Sequence, residues 1–220
     1  MNRTPRSVAL FVACSVALAT GAGLAVAGPV EDAVSELQRD WETISYRTPA
    51  AQRDARFETL AARAHETSAA HPARAEPLVW EGIILSSWAG AKGGLGALSL
   101  VKQAKGLYER ALQISPDVLD GSALNSLGVL YYKVPSWPIG FGDKARAQDL
   151  LNQALAINPK GIDPNYFYGE FLLESGKPAD AIPYLERALA AAPRPGREIA
   201  DAGRKDEAKL LMQKARAQAR

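Results

Sequence analysis

The sequence predicts an all-α fold, a right-handed α-solenoid of stacked helix hairpins with about eight or nine helices. Three observations lead there. First, the phrase Ala-x3-[aromatic or Leu]-x2-Ala-Leu-x3-Pro occurs three times. It runs Ala104, Tyr108, Ala111-Leu112, Pro116, then Ala147, Leu151, Ala154-Leu155, Pro159, then Ala181, Leu185, Ala188-Leu189, Pro193. Offsets of four and then three return to one helix face, so each phrase is a helix with small and large apolar residues on one stripe, closed by a proline. Second, the last two phrases follow a helical segment with a central glycine, Gly128 or Gly169. A glycine there costs about 1 kcal/mol against alanine, a cost that fits the close approach of a neighbouring helix. Third, no strand signal of any length appears. Copies repeated every few tens of residues describe helix pairs that cannot bury their apolar faces alone.

The elements follow in order. Arg3 and Arg6 precede the apolar run Val8 to Ala19, and Ala25-Val26-Ala27 offers small residues where a signal peptidase reads. Residues 1–27 therefore read as a secretory signal and 28–220 as the mature chain, which places the protein in the periplasm. Retention as a membrane anchor is one alternative, against which Thr20, Gly21 and Gly23 interrupt the span. Acylation at Cys14 is another, against which Phe11-Val12-Ala13 is a poor lipobox. Without residues 1–27 no cysteine remains, so helix packing must supply the stability. A degenerate pair is expected over 31–71, as Glu31 to Tyr46 and Pro49 to His71, with Val34, Leu37, Trp41 and Ile44 on one face. Repeats follow at about 77–116, 121–159 and 162–195. The first has a leading helix from about Pro77 to Trp88 and then a flexible glycine-rich break, Ala89 to Gly96. The second carries an insertion, Val134 to Gly142. The third opens on Asp163-Pro164 and stops at Gly176. A capping helix, 196–220, repeats the second-helix spacing at Gly203, Ala208, Met212 and Ala215 after a shortened partner, with its basic residues on a solvated outer face.

Leu127-Gly128-x2-Tyr131 and Tyr168-Gly169-x2-Leu172, each ahead of its Ala…Ala…Pro helix, resemble the tetratricopeptide repeat, and Ile162 to Pro195 has that family's length of 34 residues. The resemblance implies a concave groove lined by the first helices, in which a protein or peptide partner binds. Carried over position by position, the groove presents Ser122, Asn125, Val129, Tyr132 and Lys133 from the second repeat. The third repeat gives Asp163, Tyr166, Glu170, Leu173 and Glu174. Tyr132 and Tyr166 are either rigid contact area for a ligand or a pair packed on each other. Asp163, Glu170 and Glu174 stand where a clamp for a terminal carboxylate would need positive charge, so such a peptide is disfavoured.

Catalytic motifs are not found. His65-Glu66 is followed by Ala69 where a helical zinc site needs a second histidine, and His65 and His71 read as solvated. Gly93-Gly94-Leu95-Gly96 lacks the Lys-Ser/Thr and the strand of a phosphate loop, no serine lies in GxSxG, and Asp206-Glu207 has nothing near it to raise a pKa. No enzymatic activity, cofactor or metal is expected. The chain has 26 basic and 24 acidic residues; Arg3 and Arg6 leave with the signal, so the mature chain balances at 24 of each. No net field then attracts nucleic acid or an anionic membrane.

The insertion is the most distinctive segment. Trp137, Ile139 and Phe141 would cost about 1.5–3 kcal/mol each if left in water, and Pro135 and Pro138 forbid a helix. The loop either plugs one end of the groove or forms an exposed anchor for a partner. Pro-x-Trp-Pro-x-Gly-Phe-Gly-Asp ahead of the helix Lys144 to Ile157, together with the glycine-rich break, resembles periplasmic helical-repeat proteins related to the T component of TRAP-type solute transport systems. That resemblance implies an oligomer that cooperates with a substrate-binding protein, and a role as a small-ligand-binding accessory.

Overall fold

The computed structural model describes residues 28–219; residues 1–27, on which the expected signal and Cys14 fall, lie outside the described residues. Nine helices and no strand are present among the described residues: α1 (Pro29–Arg47), α2 (Ala50–Ala70), α3 (Ala75–Lys92), α4 (Gly94–Ile114), α5 (Val118–Lys133), α6 (Lys144–Ile157), α7 (Ile162–Glu174), α8 (Pro178–Ala190) and α9 (Glu198–Gln218). Neighbours pair as hairpins, α1–α2, α3–α4, α5–α6 and α7–α8, and α9 packs on α8. The odd-numbered helices also touch in succession along one side, which makes the assembly an α-solenoid.

The three repeated phrases explain how the hairpins close. Ala104, Ala147 and Ala181 are fully buried, as are the large residues one turn later, Tyr108, Leu151 and Leu185. Each large residue enters a space left by a glycine on the partner helix. A Cβ at Gly82 would lie 2.5 Å from the Tyr108 ring, one at Gly128 2.9 Å from Leu151, and one at Gly169 2.9 Å from Leu185. The central glycines thus sit where the facing helix comes closest, as the sequence suggests.

Three expectations are corrected. The glycine-rich break shrinks to Gly93, at φ 66°, because α3 continues to Lys92 and α4 starts at Gly94. Gly93 and Gly94, both at positive φ, make the turn between the helices, and the Gly93 N–H donates to the Ala89 carbonyl at 3.0 Å to satisfy the last turn of α3. No short helix precedes α9; residues 191–197 are irregular, as Pro193, Pro195 and Gly196 dictate. The third correction concerns α9 itself. It runs 21 residues and reaches back to α1, where the Ala200 N–H donates to Glu42 at 3.2 Å and the Tyr46 ring lies against Gly203. Lys209 and Arg216 are on its outer face, but the Arg204 side chain is only 12% exposed, and that of Arg197, at its N-cap, 14%.

The hairpin contact makes a paired prediction. Gly128→Ala gains about 1 kcal/mol of helix propensity but overpacks Leu151 at a cost of about 1–3, so urea unfolding should show net destabilisation. Gly106→Ala, where an added Cβ meets nothing within 4 Å, should stabilise by up to about 1 kcal/mol.

Candidate functional site

Between the inner helices and α9 lies a hollow of about 420 Å³. Its apolar wall comes from α1 and α3, where Trp41 and Trp80 meet edge to face at 5.9 Å beside Ile83. The Trp41 indole N–H is fixed by Ser87 at 2.8 Å, and the buried Tyr108 hydroxyl lies 3.1 Å from Ser86. Leu119 and Asp120, at the start of α5, line the hollow with left-handed backbone, φ 50° and 53°. Such a conformation costs about 1–2 kcal/mol per residue outside glycine, and Gly121, packed on Ala154 and Ile157, completes the turn.

The polar wall is built by arginines from the segment before α9 and from α9. Arg194 and Arg204 both hold Asp163, at 2.8 and 2.9 Å. Arg194 also bonds Asp201 and Arg204 also bonds Glu207, at 2.6 and 2.7 Å, so each guanidinium bridges two carboxylates. Burial alone would raise the Asp163 carboxyl, but Arg204 and Arg194 outweigh it and hold the group below its ordinary 3.8. Burial raises the Glu207 carboxyl, with Arg204 opposing, and pushes the Tyr46 hydroxyl up to about 12.

Arg197 differs. It lies over the Trp80 and Trp41 rings, 5.0 and 5.9 Å from their centroids, and its Nε is 3.7 Å from Glu42, beyond hydrogen-bond reach. Burial and the charge of Arg194 lower its pKa. Among the described residues four buried side-chain polar atoms have no hydrogen-bond partner, and three of them, Trp80 Nε1, Asn125 Oδ1 and Arg197 Nε, belong to residues around this hollow. Each such atom costs about 1–3 kcal/mol, so their concentration at one place is a chemical feature of the site.

The residues singled out in the sequence divide into groups. Asn125 and Val129 line the hollow. Tyr132, Lys133, Glu170 and Glu174 form a separate cluster, in which the Tyr132 hydroxyl donates to Glu170 at 2.6 Å and Lys133 pairs with Glu170 at 3.0 Å and with Glu174. Tyr166 is buried on Phe167 at 5.0 Å, with Arg204 4.5 Å above its ring, and Leu173 belongs to the core. The tyrosines pack on phenylalanines, Tyr132 on Phe171 and Tyr166 on Phe167. Asp163 is paired with Arg194 and Arg204, whereas Glu170 and Glu174 share the single Lys133, so two carboxylates face one ammonium in that cluster. The insertion does two things: Phe141 packs edge-on to Tyr131 at 5.6 Å, while Trp137 and Ile139 are 86% and 66% exposed.

Trp41, Trp80, Arg194, Arg197 and Arg204 escaped the sequence reading. Trp41 and Trp80 lie in pairs too irregular for groove positions to be carried over. The arginines held a readable sign, since Arg197, Asp201, Arg204 and Ala208 follow one helical stripe, the same stripe that buries Met212 and Ala215.

Fold and site together define a helical-repeat scaffold with a built hollow on its inner side. Residues 139–202 match the family model of the tetratricopeptide repeat. Among solved structures the chain is similar to one described as the crystal structure of MamA protein, at 18% identity and TM-score 0.44, covering 85% of this chain and 92% of that one. No curated protein matches it.

Asp163→Asn should destabilise the protein by about 3 kcal/mol at pH 7, since two arginines lose a shared partner. The folded carboxyl titrates below the unfolded one, so its contribution is complete above the ordinary 3.8 and is lost as pH falls through the folded value. Denaturant unfolding across pH should show the difference between wild type and variant shrinking below about pH 4.

Proposed function

We propose that this protein is a non-catalytic periplasmic scaffold that binds a protein or peptide partner on its concave side, with the Trp137–Ile139 loop as an outlying contact. The observation that carries the reading is the hollow. Aromatic rings from α1 and α3 and polar side chains from α5 and the α9 region surround one open space of binding-site size. Its arginines are paired or stacked, and no nucleophile with an adjacent base lies among its lining residues. The tetratricopeptide match at 139–202 supports an interaction role, and the basic, apolar, small-residue order of residues 1–27 supports export.

A second reading, a small-ligand-binding accessory of a solute transport system, is favoured by one observation: α9 bridges back to α1, so the concave side is not an open trough for an extended peptide. A partner on the first reading reaches the hollow with a side chain or chain end.

Photo-crosslinking amino acids placed at Val129 and Trp137 should trap one defined protein in cells, while the same group at Glu58, on the exposed face of α2, should not. Products equal at all three positions, or none, would sink the scaffold reading. Trp137→Ala should leave stability within about 0.5 kcal/mol and reduce capture. Phe141→Ala should cost about 2 kcal/mol, read by thermal unfolding, because its ring packs on Tyr131.

A further inference from the structure

The buried apolar residues fall into two clusters. One joins α1 to α5 and takes Leu150 and Ala154 from α6; the other joins α7 and α8 to Ala147 and Leu151 of α6 and to Ala208, Met212 and Ala215 of α9. The molecule is therefore two packed bodies joined along α5, α6 and α7. The hollow lies between them, with Ile83, Asn125 and Val129 on one side and Asp163, Phe167 and Arg204 on the other. The bodies meet a second time where α9 returns to α1. Among the described residues, Ala200 is the only buried apolar side chain of α9 that belongs to the first cluster.

What holds that second seam is mostly polar. The Glu42 side chain of α1 is 6% exposed and accepts the Ala200 N–H at 3.2 Å, a first-turn donor with no acceptor within α9. Its charge partner is Arg197, 3.7 Å away and stacked on Trp41 and Trp80. Tyr46 completes the contact against Gly203, where an added Cβ would lie 2.2 Å from the ring. A polar seam parts more readily than an apolar one, because Glu42, Arg197 and the Ala200 N–H regain water on opening, which offsets much of the attraction lost.

We propose that the α1–α9 seam is a latch, and that the two bodies hinge about α5–α7 to open and close the hollow. This goes beyond the scaffold reading and holds whatever the hollow takes. Glu42 is the centre of the latch, since one carboxylate both caps α9 and balances Arg197. Trp41, Tyr46, Arg197, Ala200 and Arg204 belong to the seam region and also line the hollow, so parting the seam widens the way in. On the hinge side, Tyr132 and Lys133 of α5 hold Glu170 of α7 at 2.6 and 3.0 Å, and the Tyr132 ring packs on Phe171 at 5.6 Å. That junction stays closed while the seam parts.

Pulsed electron paramagnetic resonance on the purified protein would measure the distance between spin labels at Arg39→Cys in α1 and Leu210→Cys in α9, both exposed, in a Cys14→Ser background. Labels at Arg39→Cys and Glu58→Cys, within one body, serve as the control. Two substitutions act on the latch. Gly203→Ala drives a methyl group into the Tyr46 ring, and Glu42→Gln keeps an acceptor for the Ala200 N–H but removes the charge that balances Arg197. Each should lengthen the seam distance by about 5 Å or more in at least about a third of the molecules, as a hinge opening of the two bodies requires. The control distance should not change. Circular dichroism checks that each variant is folded, and should Gly203→Ala fail, Glu42→Gln decides. The proposal is overturned if the seam pair keeps its wild-type distance in every folded variant, or if the control pair spreads as much as the seam pair, the mark of a stack loosened throughout.

Discussion

The close contact of each hairpin, a large residue entering a gap left by glycine, is the constraint from which the rest of the architecture follows. Tyr108 against Gly82, Leu151 against Gly128 and Leu185 against Gly169 bring the paired helices together at equivalent points. Small residues at Ala104, Ala147 and Ala181 allow the same approach one turn away. Because the second helices are held at one depth, the first helices are left side by side along the inner face. A repeated local fit thus becomes a curved surface, with no disulfide required among the described residues.

The second constraint is non-local. A stack built only from neighbour contacts would leave its inner face open, but α9 is long enough to meet α1. Asp163 anchors that return, drawing Arg194 and Arg204 inward from a segment of the chain that is otherwise basic and solvated. Drawing three arginines partly out of water carries a desolvation penalty, offset here by carboxylates for two of them and by stacking on indoles for the third. The inner surface consequently combines an aromatic side with a polar one. That combination is what a ligand site needs: area for affinity, and a few directed groups for selection.

Much of the fold was legible because it is written in short periods. The phrases ending at Pro116, Pro159 and Pro193 gave α4, α6 and α8, the glycines at 128 and 169 marked the hairpin contacts, and the insertion around Trp137 stood out by its prolines. The break before α4 is shorter than its glycines suggest, since only Gly93 and Gly94 take positive φ while Gly96 lies within α4. Of the groove positions, Ser122, Asn125, Val129 and Asp163 line the hollow. Tyr132, Lys133, Glu170 and Glu174 instead satisfied one another, a result that depends on how adjacent repeats are registered and not on any one repeat.

The sequence by itself determined the helix pairs, their order and the places where they touch most closely, because those follow from spacings of three, four and seven residues within a single element. Only the tertiary structure decided what the concave side contains. Trp41, Asn125, Asp163 and Arg197 lie in four different parts of the chain, and their meeting depends on the summed curvature of the stack and on the reach of its last helix. No local pattern encodes those two quantities.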